Sequence, residues 1–307
     1  MQIVLIGLGR MGANMARRWA RGGIQVIAWD QSAEARAAVA EAGVQAMPTL
    51  ADALAAGATE GNVPSPRIVW MMLPAGTVTE TTIDALLPQL QAGDLLVDGG
   101  NANYKDTQRR AARVNAAGFG YADVGVSGGV WGLANGYCVM AGATATDYAR
   151  LKPFLEVLAP SPTRGIVHAG AVGAGHYAKM VHNGIEYGMM QALAEGFALI
   201  EAKREFAMPI ADIAEAWRDG SVVRSWLLDL TADALKKPDE IAAIAPFVSD
   251  SGEGRWAVEA MIDLGVPAPV TALALTTRFA TQGKGDYAAK LLAQMRAGFG
   301  GHAVKKA

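Results

Sequence analysis

The sequence predicts an α/β domain built on a parallel sheet, followed by a domain made of helices alone. Three observations carry this reading. In the first half, short apolar runs of strand length alternate with stretches of helical periodicity, the pattern of strands that pair in parallel with helices over both faces. Glycine pairs at Gly22-Gly23, Gly99-Gly100 and Gly128-Gly129 punctuate the ends of these elements. From about Gly173 onward the strand-like runs cease and the apolar spacing is helical throughout.

Taken in order, Gln2 to Ile6 reads as a strand, Gly12 to Arg21 as a helix, Gln25 to Trp29 as a strand and Ala33 to about Ala42 as a helix. Arg67 to Leu73 and Asp94 to Val97 are buried-strand runs, followed by Gly120 to Val124 and Gly136 to Met140. Later helices are expected at about 174–204, 209–219, 222–236, 250–264, 268–282 and 285–297. The turn-rich stretch Pro160 to Gly165 sets the expected boundary, with residues 1–165 forming the sheet domain and residues 166–307 the helical domain.

The chain has 307 residues, 51% of them apolar and 18% charged, which suffices for a sizeable core and excludes a disordered chain. A formal net charge of -2 gives no global attraction to nucleic acid or to anionic membranes, so neither is expected as a partner. The single cysteine, Cys138, excludes an intrachain disulfide framework, and its apolar run Tyr137 to Met140 suggests a buried packing residue. The apolar start Met1 to Gly9 lacks a basic flank and is broken by glycines, unlike a signal peptide. No run reaches the roughly 18 apolar residues of a membrane span. A cytoplasmic protein is expected.

Gly7-Leu8-Gly9-Arg10-Met11-Gly12 follows the first predicted strand and opens the first helix. Its first glycine permits a tight turn, the second lets backbone approach a pyrophosphate, and the third allows close helix-strand packing. The helix N-terminus presents unpaired N–H groups and a positive dipole end to the phosphates. The second strand leads into Asp30, whose carboxylate suits the ribose hydroxyls of an adenosine. This is the context of a Rossmann-type dinucleotide site, to which Leu73 and Pro74 at the end of a later strand are also assigned. Gln31 stands where a cation would pair with the extra phosphate of NADP, so NAD is the expected cofactor; Arg36, one helical turn on, keeps NADP possible.

Lys179, His182, Asn183 and Glu186 fall at i, i+3, i+4 and i+7 and share one helix face. The other faces carry Tyr177, Met180, Val181, Ile185, Met189 and Met190, so the helix is expected to be largely buried, with its polar stripe lining a cleft. Burial lets a lysine serve as a base near neutrality and keeps a glutamate protonated as an acid. Two turns apart, the pair suits a reaction that moves protons at two different carbons.

The run Lys179-Met-Val-His-Asn-Gly-Ile-Glu-Tyr-Gly188 resembles the signature of 6-phosphogluconate dehydrogenases. So do Asp98-Gly-Gly-Asn101 with Tyr104, Asp106 and Arg109 after it, Val126-Ser-Gly-Gly129, and the tail Arg296-x-x-Phe-Gly-Gly-His302. The resemblance covers nearly the whole chain, and the length is similar to that of the family's short class. It implies oxidative decarboxylation of 6-phosphogluconate to ribulose 5-phosphate, with Lys179 as base and then acid at the C3 oxygen and Glu186 protonating C1. It further implies that Asn101, Ser127, Gly128, Gly129, His182 and Asn183 hold the carboxylate and hydroxyls, Asn101 also lying near the nicotinamide. Tyr187, Arg278, Arg296 and His302 would hold the phosphate, the last two coming from a neighbouring subunit of a homodimer or homotetramer whose contacts the helical domain supplies.

Two positions depart from the pattern. Ala102 replaces a hydroxyl residue, and Ser251 stands where longer members carry a phosphate-binding lysine. A β-keto acid loses carbon dioxide once its carbonyl is protonated, so no metal is demanded, and no clustered metal-ligand spacing is present in the sequence. The rival within the same superfamily is a non-decarboxylating 3-hydroxyisobutyrate or tartronate semialdehyde enzyme, which needs neither Glu186 nor the phosphate cations. A nucleotide-sensing protein without turnover would not need Lys179 or Glu186, and both are present.

Overall fold

The structure, a computed structural model, describes residues 1–60 and 63–306. The chain divides into two compact units, Met1–Met180 and Val181–Ala307.

The strands of the first unit are β1 (Gln2–Ile6), β2 (Gln25–Trp29), β3 (Gln45–Ala46), β4 (Thr59–Glu60), β5 (Val63–Pro64), β6 (Ile68–Met71), β7 (Leu95–Asp98), β8 (Gly120–Ser127), β9 (Cys138–Gly142) and β10 (Ile166–Gly170). Its helices are α1 (Arg10–Arg21), α2 (Ala33–Ala40), α3 (Leu50–Gly57), α4 (Thr77–Leu86), α5 (Tyr104–Ala116), α6 (Gly132–Asn135) and α7 (Ala145–Leu158). Eight strands form one sheet in the order β10-β9-β8-β7-β6-β1-β2-β3, while β4 and β5 make a separate hairpin. Every neighbouring pair in the large sheet is parallel except β8 with β9.

Alternation of side chains across each strand divides the core in two. Ile3, Leu5, Val26, Trp70, Val97 and Val124 pack on one face with Met15 and Trp19 of α1 and Leu151 and Leu155 of α7. Val4, Ile6, Ile27, Val69 and Leu96 pack on the other with Leu54 of α3, Ile83 and Leu86 of α4 and Val114 of α5. Both faces are covered, which is why these strands read as continuous apolar runs. The sheet order turns back on itself at β1, between β2 and β6. In a parallel sheet such a point opens a crevice beyond the strands' carboxyl ends, where ligands bind.

Helix α8 (Ala174–Ala202) starts in the first unit and runs on into the second. The second unit continues with α9 (Ile210–Arg218), α10 (Trp226–Leu235), α11 (Pro238–Ala242), α12 (Glu253–Leu264), α13 (Pro269–Thr281) and α14 (Asp286–Gly300). Its cores are small. One gathers Phe197, Ala214, Leu228 and Ala232, with Trp217 packed against them; the other gathers Tyr187, Ala274 and Leu275 with Val258 and Phe279. An added Cβ at Gly184 would lie 3.1 Å from Ala257 Cβ, and one at Gly188 would lie 3.1 Å from Val270 Cγ1, so α12 and α13 come close to α8 where it has no side chains.

Several expectations are corrected. β3 and β10 are two strands of the sheet that the sequence does not announce, β3 because it has only two residues and β10 because its Ile166–Gly170 run is only partly buried at the sheet edge. Cys138 is exposed rather than buried: it is the first residue of β9, at the strand's open end. Helix α8 is also less buried than its composition suggests, since Val181, Ile185 and Met189 are exposed. These residues recur every four positions and form one stripe, on the side of the helix opposite Tyr187.

Candidate active site

The crevice at β1 has the shape that a dinucleotide needs. Gly7 adopts φ +97°, a conformation open to glycine, and an added Cβ there would strike the Met72 carbonyl oxygen. A Cβ on Gly12 would strike the Gly7 carbonyl oxygen, so α1 lies directly against the turn. At Gly9 a Cβ would meet nothing within 4 Å, which leaves open space over the N-cap of α1. The first turn of α1, starting at Arg10 and Met11, carries no acidic residue to compete for its N–H groups. Asp30 is set in place by two backbone donors, Leu8 N–H to Oδ2 at 2.6 Å and Ser32 N–H to Oδ1 at 2.8 Å. The residues present thus fit an NAD-type ligand. Gln31 is exposed, and Arg36 turns back to donate to the Asp30 carbonyl at 2.6 Å and the Gln31 carbonyl at 3.3 Å.

The loops after β6, β7 and β8 converge beside this crevice. Leu73 lies against Gly7, and an added Cβ on Gly100 would strike the Leu73 carbonyl oxygen. The Pro74 carbonyl accepts a 2.8 Å bond from Thr79. Asn101 has φ +53°, rare for a residue with a side chain. Its amide holds that shape by donating to the Val126 carbonyl at 3.0 Å and accepting from Val126 N–H at 2.9 Å. These bonds use one of its two N–H donors and tie the β7 loop to Ser127-Gly128-Gly129. Gly128 and Gly129 have φ of +132° and +52°, so the chain turns there with backbone groups bare of side chains. Ala102, the first departure from the family pattern, is buried.

Lys179 sits where α8 meets the sheet. An added Cβ on Gly125 of β8 would lie 2.5 Å from Lys179 Cβ and 2.6 Å from the Gly175 carbonyl oxygen. Asp123, also on β8, accepts from Gly173 N–H at 2.6 Å and His176 N–H at 2.7 Å, capping the start of α8. Burial pushes the Asp123 carboxyl above its ordinary range, although His176 and the two N–H donors act against the rise. The His176 ring shares a 2.7 Å hydrogen bond with Thr107, whose hydroxyl reaches the Asn103 carbonyl in the loop after Asn101. Lys179 is 6% exposed. Across the β8–β9 ladder, Ser127 pairs with Cys138. Although the residue is exposed at the strand end, partial desolvation by the surrounding chain raises the thiol pKa, and the Lys179 charge acts in the opposite direction.

Farther along α8 the polar face opens. His182 Nδ1 lies 3.0 Å from Asn183 Oδ1 and 3.8 Å from Glu186 Oε2, with the His182 and Glu186 side chains 41% and 38% exposed. Tyr187 is buried, with Gly254 against its ring and the Arg278 guanidinium 3.4 Å from the ring centroid. The structure therefore brings Tyr187 and Arg278 together with Ser251. Arg296 lies near the end of α14 and His302 follows the C-cap Gly301; both are exposed.

Comparison with known proteins now bears on these residues. Residues 2–173 match the NAD binding domain of 6-phosphogluconate dehydrogenase, and residues 175–305 match the C-terminal domain of the same enzyme. The chain belongs to the 6-phosphogluconate dehydrogenase family. A relative from Haloferax volcanii, named as an NAD(+)-dependent decarboxylating 6-phosphogluconate dehydrogenase, is 36% identical over 307 residues, covering 100% of this chain and 99% of its own. A decarboxylating 6-phosphogluconate dehydrogenase from Synechococcus elongatus is 33% identical, with 93% of this chain matching 62% of the longer relative. Among solved structures, Plasmodium falciparum 6-phosphogluconate dehydrogenase superposes with a TM-score of 0.83 at 25% identity, covering all of this chain and 66% of that one. A 3-hydroxyisobutyrate dehydrogenase from Mycobacterium tuberculosis shares the fold, with a TM-score of 0.71 at 24% identity over 93% of this chain and 94% of the other.

Sequence reasoning did not find Asp123, Thr107, His176 or Glu253. Asp123 left a trace, as an acid inside the apolar strand run Ala122 to Val124 that a covered sheet tolerates only when its charge is hydrogen-bonded. Thr107 and His176 pair across 69 positions, and Glu253 is an ordinary acid in the first turn of α12, so these left none.

Proposed function

We propose that the protein catalyses oxidative decarboxylation of 6-phosphogluconate to ribulose 5-phosphate and carbon dioxide, the reaction of pentose phosphate metabolism, with NAD preferred over NADP. The observation that carries this reading is Lys179, buried against Gly125 of β8, with Glu186 two turns along the same helix. Seven residues of α-helix separate the pair by about 10 Å along the axis.

NAD, when bound, supplies the two-electron acceptor at C3. Lys179 Nζ takes the C3 hydroxyl proton as that carbon is oxidised, then returns a proton to the C3 carbonyl oxygen while the C1 carboxylate departs as carbon dioxide. Glu186 delivers a proton to the enediol carbon that carried the carboxylate, C1 of the ribulose product, while Lys179 takes back the hydroxyl proton from the neighbouring oxygen to leave the ketone. Backbone N–H groups at Ser127, Gly128 and Gly129 hold the carboxylate, and Asn101, His182 and Asn183 orient the hydroxyls. Tyr187 and Arg278 receive the phosphate together with Arg296 and His302 of a neighbouring subunit. The exposed apolar residues Ile185 of α8, Val270 and Leu273 of α13 and Leu292 of α14 support assembly as a homodimer or homotetramer. An unpaired thiol accords with a cytoplasmic setting. Among the described residues no helix is long and apolar enough to cross a membrane.

The preference for NAD rests on Asp30 and Gln31, with Arg36 drawn onto the backbone beside them. The test follows NADH and NADPH formation with 6-phosphogluconate while carbon dioxide release is measured. Equimolar carbon dioxide and NADH, with the higher kcat/KM for NAD, is the expected result. Turnover of 3-hydroxyisobutyrate with none of 6-phosphogluconate would overturn the assignment.

A further inference from the structure

The Tyr187–Arg278 end of the site contains a carboxylate that a phosphate-binding pocket does not call for. Ser251 Oγ donates a short hydrogen bond to Glu253 Oε2. The Ser251 hydroxyl proton is thereby committed, so at the 3.3 Å contact between Tyr187 Oη and Ser251 Oγ the phenol is the donor. Ser251 N–H in turn donates to Tyr187 Oη at 3.3 Å. The chain of donors runs from Ser251 N–H through the phenol and the serine hydroxyl, and it ends on Glu253.

The nearby cations are partly spent as well. Arg255 makes two 2.9 Å bonds to Asp250, one to each carboxylate oxygen, and holds that carboxyl below its usual range. Arg278 gives one N–H to the Ser249 carbonyl at 2.9 Å while stacking on Tyr187. Asp250 and Glu253 thus bring two carboxylates to this end, where Arg255 pairs with Asp250, Lys284 also acts on Asp250 and Glu253 takes the Ser251 proton.

We infer that Glu253 is a specificity-determining residue that weakens phosphate binding at this end and favours a terminal group able to donate a hydrogen bond; the inference rests on the assignment of this end to the substrate's phosphate. A phosphate is all acceptor. To bind Tyr187 it must take the phenol proton from Ser251, and it must lie near a like charge. A terminal hydroxyl can donate to the Glu253 carboxylate and meets no such repulsion. The site therefore discriminates less between 6-phosphogluconate and unphosphorylated gluconate than its arginine suggests.

The experiment measures KM for 6-phosphogluconate and for gluconate with NAD, and competitive inhibition by inorganic phosphate, in the unsubstituted enzyme and in Glu253→Gln. The expected result is a fall of about three- to fivefold in KM for 6-phosphogluconate, the size of a partly screened charge interaction. The phosphate inhibition constant falls in parallel, kcat stays within about twofold, and KM for gluconate does not fall. Ser251→Ala, which leaves the phenol proton to the phosphate, gives a smaller change in the same direction and carries the test where Glu253→Gln folds poorly. An unchanged or higher KM for 6-phosphogluconate in either variant, or an equal fall for both substrates, overturns the inference. No turnover of 6-phosphogluconate by the unsubstituted enzyme defeats the assigned reaction instead, which separates the two failures.

Discussion

The two ends of helix α8 are built by different means. Its first turn is held by strand β8: Asp123 caps it, Gly125 admits it, and His176 ties it through Thr107 to the loop that contains Asn101. Lys179, on the next turn, is 6% exposed. Three and seven residues on, His182 and Glu186 are about two-fifths exposed and lie 3.8 Å apart on the helix surface. The comparison teaches that Lys179, the proposed base, is positioned by backbone, through close approach and buried hydrogen bonds. Glu186, the proposed proton donor, and the proposed phosphate end at Tyr187 and Arg278 are positioned by side chains on small helical cores. Substitutions at the first end should alter chemistry, and those at the second should alter substrate binding.

The sharpest way to break this contrast is at Lys179. Lys179→Met keeps a long side chain at the same seat and removes the amine, and it should lower kcat by at least about a hundredfold. Binding of NAD, followed by fluorescence titration, should remain near that of the unsubstituted protein because the Gly7 to Gly12 turn is untouched. Retained turnover would take lysine out of the mechanism. Gly125→Ala tests the seat itself. Its Cβ would fall 2.5 Å from Lys179 Cβ and 2.6 Å from backbone, so α8 must shift. Overpacking of this kind costs about 1–3 kcal/mol, and a lower melting temperature with a kcat loss larger than any KM change is the expected pair of readouts. A fall in KM alone would place the seat outside the chemistry.

How legible each end was follows from the same contrast. The Gly7 turn could be read directly, since positive φ and close approach demand glycine and glycine is visible in sequence. Lys179, His182, Asn183 and Glu186 could be read from helical spacing, and α8 ends within two residues of its expected limit. Asp123 and His176 could not be paired in advance, because the two residues are 53 positions apart and only the β8 register brings them together. β10 is hidden because His168 and glycine interrupt its short, partly exposed edge run, and Cys138 differs from its expected burial because strand ends escape the burial of strand interiors. Glu253 has no signal in the sequence, because a first-turn acid is common in helices and only the Ser251 hydrogen bond sets it apart.

At the substrate end, Arg278→Ala should raise KM for 6-phosphogluconate by roughly tenfold while kcat changes little, since a ground-state phosphate contact is lost. Part of any stability loss will come from Tyr187, whose ring the guanidinium covers at 3.4 Å. Arg278→Lys keeps the charge without the planar fork and should recover less than half of the binding loss. A kcat effect exceeding the KM effect would move Arg278 into the catalytic group and erase the contrast between the ends.

The smallest effect concerns acid sensitivity of the first unit. Glu80 of α4 bonds Arg109 at 2.5 Å and Arg110 at 2.8 Å on α5, and Arg110 reaches Asp98 at the end of β7 at 3.2 Å. Burial tends to raise the Glu80 carboxyl, but the two arginine hydrogen bonds outweigh it and leave the pKa below its ordinary 4.5. The folded value thus lies under the unfolded one, so this group contributes stability above about pH 4.5 and loses it as pH falls toward the folded value. Glu80→Gln should therefore be less stable than the unsubstituted protein at pH 7, by less than about 1 kcal/mol given partial exposure. The difference should shrink in denaturant melts between pH 5 and pH 4, a range chosen about the ordinary carboxylate value. A gap that widens as pH falls would mean the arginines do not hold Glu80 charged, and that the loop after β7, with Asn101 on it, is braced by something other than this network.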